Sequence, residues 1–152
     1  MTIKKWYIHV ITLFLVCSLL IPTPVKAAVP DTVQPCASSY FQQYEIYTYA
    51  AGNGKIQVWY TIFGHHQMNK LGILRIVLQE SADQVSWTNV ATYSYADYYD
   101  EMISETAVTH FGHVDYNDGI VGKYYRARVT LYAIDAEDSE TKLYVTDPVR
   151  CT

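Results

Sequence analysis

Four histidines stand in two pairs, His65 with His66 and His110 with His113. Imidazole nitrogens are the usual protein ligands for zinc and copper, so two such pairs, separated by a whole hairpin, could in principle arm a metal-dependent hydrolase. The spacing speaks against it. If residues 105–114 are extended, His110 and His113 are an odd number of residues apart and point to opposite faces, so a shared ion would need a bulge or turn at Gly112. The acidic segments are no better matched to a metal. Asp115-Tyr116-Asn117-Asp118-Gly119 and the group Asp97, Asp100 and Glu101 have the composition of a calcium loop, but the ligand spacing falls one residue short. They read as turns capped by their own carboxylates. No Gly-x-Ser-x-Gly elbow is present and no cofactor motif is found, so the residues favour a non-catalytic chain without a cofactor.

Tyrosine is the unusual component, at 15 residues of 152. Many tyrosines simply fill a β core at low entropic cost. Tyr47 and Tyr49, however, oppose the face that carries Ile46, and Tyr93, Tyr95, Tyr98 and Tyr99 crowd one edge. Together with Trp59 they make a candidate recognition patch, since tyrosine combines rigid apolar area with a hydroxyl. Carboxylates from residues 97–105 would assist.

The start of the chain bounds the compartment. Lys4 and Lys5 precede an apolar run over 8–21 that Pro22 and Pro24 break, followed by Val25-Lys26-Ala27. This pattern predicts a signal peptide over 1–27, cut before Ala28, and hence a secreted, extracellular protein with no membrane span after cleavage. Of 11 basic residues, Lys4, Lys5 and Lys26 would go with it, leaving 8 against 15 acids. Such a net charge opposes nucleic-acid binding, which needs clustered cations. Cys36 and Cys151 would remain, at opposite ends of the chain in an oxidising space. We expect them to pair, which on the chain-entropy model contributes about 4 to 5 kcal/mol.

The elements that must position these residues are strands. After an extended N-terminal arm over 28–42, no proline occurs between Pro35 and Pro148, as a stack of paired strands requires. The apolar period is two. Ile46, Thr48 and Ala50 alternate with tyrosines, Asn53-Gly54 supplies a hairpin turn, and Ile56, Val58, Tyr60 and Ile62 resume one face. Residues 64–70 read as a polar connection, and 71–78 as a central strand. Ser81 to Gln84 is a turn, and residues 95–102 read as a loop or ragged edge. Tyr125, Ala127, Val129, Leu131 and Ala133 point inward together. Seven short strands with turns between them predict an all-β, antiparallel β-sandwich over 43–152.

Two stretches carry a resemblance. Ile76 to Asp83 followed by Trp87 resembles the strand-turn-strand of fibronectin type III and other immunoglobulin-like modules, and Gly122 to Ala133 resembles their F strand, with Tyr125 at the tyrosine corner. Ala51-Gly52-Asn53-Gly54-Lys55-Ile56, Gln79-Glu80-Ser81 and Lys123-Tyr124-Tyr125-Arg126-Ala127 are similar to a family of small secreted Gram-positive bacterial proteins of unassigned function. The resemblance implies a single immunoglobulin-like sandwich and names no site residues. The function expected is a secreted non-catalytic module that binds an extracellular protein or glycan. A secreted metal-dependent hydrolase and a secreted effector or toxin are the alternatives.

Overall fold

The period-two alternation sends every second side chain to one face, and the computed structural model shows what those faces pack against. It describes residues 33–35, 38–136 and 138–152. The expected signal peptide, most of the arm and Cys36 lie outside the described residues. In order come β1 (Val33–Pro35), β2 (Phe41–Gly52), β3 (Lys55–Ser81), β4 (Thr88–Ser94), the single-turn helix α1 (Tyr99–Met102), β5 (Ile103–Tyr116), β6 (Tyr124–Ile134), β7 (Ser139–Val145) and β8 (Val149–Arg150). All strand pairs are antiparallel, and the chain is all-β as expected.

Strand β3 organises the rest. At 27 residues it is several times the usual length of about five or six, and its two halves have different partners. Lys55–Phe63 lies between β2 and the second half of β5. Met68–Ser81 lies between β6 on one side and, on the other, the start of β5 followed by β4. The polar connection expected at 64–70 is therefore corrected: it is strand, and it bends. Phe63 pairs with Thr109 and Met68 with Ala107, so on the β5 side residues 64–67 of β3 are opposed by Val108 alone. The surplus chain swells outward, which exposes His65, His66 and Gln67, and Met68 returns to the core. Nearby Thr106 takes a left-handed φ of 52°, a strained value for a β-branched residue.

The bend curls the sheet, and its inward faces enclose one core. Ile46, Ile56, Val58, Tyr60 and Ile62 come from the first half; Leu71, Ile73, Ile76 and Leu78 come from the second. The inward row expected on β6 is present, with Tyr125, Ala127, Val129, Leu131 and Ala133 all fully buried. Polar clips close the rim. Thr48 and Thr146 share a buried hydroxyl hydrogen bond of 2.7 Å, and the Ala127 N–H donates to the Thr146 hydroxyl at 2.9 Å. The Tyr125 hydroxyl accepts the Ile120 N–H and donates to Glu80, both at 2.8 Å. Burial pushes that phenol up to about 12.

The turns follow local chemistry. Asn53 and Gly54 both have positive φ, 53° and 77°, as a two-residue primed hairpin needs. The Ser81 hydroxyl accepts the Asp83 and Gln84 N–H groups, and Asp83 accepts those of Val85 and Ser86. The expected loop at 95–102 instead ends in α1. A tight corner joins the hairpin tip to the end of the chain. The Gly54 carbonyl accepts the Gly119 N–H at 2.8 Å, and the Gly54 N–H donates to the Thr152 carbonyl at 3.1 Å. Buried Cys151 sits against this corner and burial raises its thiol pKa. No disulfide forms among the described residues.

A Cβ on Gly119 would stand 2.5 Å from the Gly54 carbonyl oxygen. Gly119→Ala should therefore cost about 2 kcal/mol, seen as a lower urea midpoint at unchanged slope. Thr106→Asn should move the midpoint up by the equivalent of about 1 kcal/mol, because asparagine tolerates the left-handed region. A neutral Gly119→Ala would contradict the corner geometry.

Candidate binding face and the clefts beside it

Alternation in β2 and β3 settles which aromatics reach solvent. Ile46 and Val58 point inward, so Tyr47, Tyr49 and Trp59 point out, at 41%, 53% and 36% exposed. Register then aligns them. Tyr47 pairs with Trp59, and Trp59 with His113, which places three rings in one row across β2, β3 and β5. The Trp59 and His113 rings stack at 4.4 Å between centroids and 15° between planes. In the flanking rows, Tyr49, Gln57 and Asp115 are neighbours on one side, and Glu45, Thr61 and Phe111 on the other. Phe111 is 75% exposed.

The polar side chains on this face are already tied together. Gln57 donates to Asp115 at 2.7 Å, Lys55 pairs with Asp115 at 2.7 Å, and the Trp59 indole N–H reaches the Gln57 amide oxygen at 3.4 Å. Lys55 is the main cause that holds the Asp115 carboxyl below its ordinary range, with Gln57 next. The face is thus pre-ordered, which lowers the entropic cost of binding.

The other four tyrosines of the expected patch are elsewhere. Tyr93 is partly buried against the core and donates to the Asp115 carbonyl at 2.6 Å. Tyr98 packs against Tyr93 at 6.0 Å. Tyr95 and Tyr99 are near each other, 6.4 Å between centroids, beside a cleft of about 260 Å³ that Lys70, Leu74, Ile103 and Tyr132 complete. Of the carboxylates at 97–105, Glu105 accepts the Tyr99 hydroxyl at 2.7 Å.

The histidines separate as the odd spacing requires. His110 pairs with Ile62 on the inward face and His113 with Trp59 on the outward one. His65 and His66 are exposed on the bend, where His66 approaches Asp135 at 3.4 Å. Among the described residues no three His, Cys, Asp or Glu side chains converge on a metal position. His110 is 3% exposed and stacks on Tyr60 at 5.6 Å. Its Nδ1 shares a hydrogen bond with the Ser104 hydroxyl at 2.9 Å, while its buried Nε2 has no partner among the described residues. Burial alone drives its pKa down to about 4, so it is neutral near pH 7. It lines a second cleft, about 360 Å³, with Asp100, Glu101 and His113. Ser104 and His110 are within reach of each other, and among the described residues no third group orients the imidazole.

Two members of the exposed face escape sequence reasoning as aromatics. From sequence His113 stands out only as a metal ligand, and Phe111 does not stand out. The outward position of Phe111 follows from the inward setting of His110 and Val114, once β5 is known to be strand throughout. No family model matches the chain, and no curated protein is significantly similar to it.

Because His110 is buried neutral, the unfolded chain takes up its proton first as pH falls. Stability from this residue is complete above its unfolded pKa of about 6.5, and is lost progressively down to its folded value near 4. The loss accumulated by pH 4 should be about 3 kcal/mol, since tenfold in proton affinity corresponds to about 1.4 kcal/mol. Urea melts between pH 7 and pH 4 should show it, and His110→Phe should flatten the difference over that range. An equal pH dependence in the variant would contradict the burial of His110.

Proposed function

We propose that this chain is a secreted, non-catalytic module that binds an extracellular protein or glycan through the outward row Tyr47, Trp59 and His113, flanked by Tyr49 and Phe111. The observation that carries the reading is the row itself: three aromatic rings in register on a fully paired part of the sheet, exposed to solvent and braced by the Lys55, Asp115 and Gln57 contacts. Large aromatics concentrated on one face mark recognition surfaces more often than scattered single ones do. Size favours the glycan. Three strands about 4.8 Å apart, with rows about 7 Å apart, span roughly 10 by 14 Å, well short of the ~800 Å² per partner of a standard protein interface.

We read the curled sheet as an immunoglobulin-like, fibronectin III-like sandwich. In support, β2, β3 and β5 neighbour one another in one half, and β4, β3, β6 and β7 in the other. The Tyr125 hydroxyl bonded to a backbone N–H five residues upstream matches the tyrosine corner of such folds. Secretion rests on the leader pattern over 1–27. No helix among the described residues is long and apolar enough to cross a membrane.

A glycan array and a pull-down from extracellular material test the reading. The full chain should retain at least one ligand, and Trp59→Ala and Tyr47→Ala should each weaken it by about tenfold or more while the variants stay folded, with a stability loss of no more than about 2 kcal/mol in urea melts. Both side chains are partly exposed, so folding should tolerate their loss. Unaltered retention by both variants would overturn the assignment of the face.

A further inference from the structure

The cleft beside Tyr99 has its own construction. Ile73 pairs with Leu131 and Arg75 with Thr130, so Leu74 is the extra residue of a β-bulge. Bulges of this kind re-aim side chains beside functional sites. The Leu74 carbonyl accepts the Tyr95 N–H at 3.1 Å, and its side chain joins Ile103 in the lining. Helix α1 closes the opposite wall. It can approach because β3 has a glycine there: a Cβ on Gly72 would collide with the Met102 carbonyl oxygen.

Three rings and an ammonium group line the opening, and Glu105 reaches two of these groups from beside it. Tyr95, Tyr99 and Tyr132 line it with Lys70. Tyr99 is held by its 2.7 Å bond to Glu105, and the Lys70 ammonium stands 5.3 Å from the Tyr99 centroid and 3.7 Å from Glu105. Apolar lining, phenol rings with hydroxyls and a charged pair at the mouth suit a ligand that has an apolar C–H face and a polar rim. A purely apolar ligand would strip water from Lys70 and Glu105 without replacing its hydrogen bonds. A bare anion would gain nothing from Leu74 and Ile103, and would face Glu105. The volume, about 260 Å³, is below the roughly 300 to 1,000 Å³ of sites for drug-sized ligands, so one ring fits.

We propose that this cleft binds a single pyranose unit, with the sugar's C–H face against Leu74 and the tyrosine rings and its hydroxyls toward Lys70, Glu105 and the phenols. The site is distinct from the Trp59 face and does not depend on it.

Saturation-transfer NMR on the full chain, with methyl glucoside, methyl galactoside, methyl N-acetylglucosaminide and methyl glucuronide as probes, tests the proposal. At least one probe should receive saturation at its ring protons, with affinity on the order of millimolar. Tyr99→Ala and Tyr132→Ser should each weaken it by about tenfold or more, and Trp59→Ala should leave it unchanged. Tyr99→Phe retains the ring, removes the bond to Glu105, and should weaken binding a few-fold even if Tyr99→Ala does not fold. Absence of transfer to all four probes would overturn the proposal. So would transfer unaffected by the Tyr99 and Tyr132 variants, or abolished by Trp59→Ala alone.

Discussion

Strand β3 serves both halves of the sheet, and that shared use is the constraint on which the other features depend. A twisted strand of this length cannot stay flat among so many partners. The four-against-one mismatch with β5 at residues 64–67 fixes where it turns. Once the bend is set, Ile56 to Ile62 and Leu71 to Leu78 contribute to the same core, and Met68 fills the inside of the turn. The strained φ at Thr106 and the exposed pair His65 and His66 are consequences of that mismatch on its two strands.

The bend also sorts the aromatics. Because the first half of β3 lies between β2 and β5, Trp59 finds Tyr47 on one side and His113 on the other. Because the second half lies beside the start of β5, Lys70 and Leu74 meet Tyr99 and Tyr95 at a different place. Two small clusters of aromatic side chains thus arise from one strand. In each, polar groups are tied to a carboxylate, Asp115 in one and Glu105 in the other.

Local chemistry is legible in the residues, and long-range register is not. The hairpin at Asn53-Gly54, the inward row from Tyr125 to Ala133 and the outward setting of Tyr47 and Tyr49 all follow from turn preference and a period of two. The opposite facing of His110 and His113 follows from the same period. The segment at 64–70 misleads because its polar residues signal a loop, whereas the reason it is strand lies forty residues away in β5. The seven aromatic candidates look like one patch because sequence gives the face of each strand and not its neighbours. Helix α1 is too short to carry a periodic signal. The Cys36 and Cys151 pairing concerns a residue outside the described ones.

Native-state hydrogen exchange across β3 tests the shared-strand account most directly. If one strand joins both halves into a single cooperative unit, amides of Val58 and Tyr60 before the bend and of Ile76 and Leu78 after it should open with free energies within about 1 kcal/mol of each other and of global unfolding. Exchange of the Lys55–Phe63 half at a much lower free energy than the Met68–Ser81 half would contradict it, and would mean that the face bearing Trp59 is held only locally.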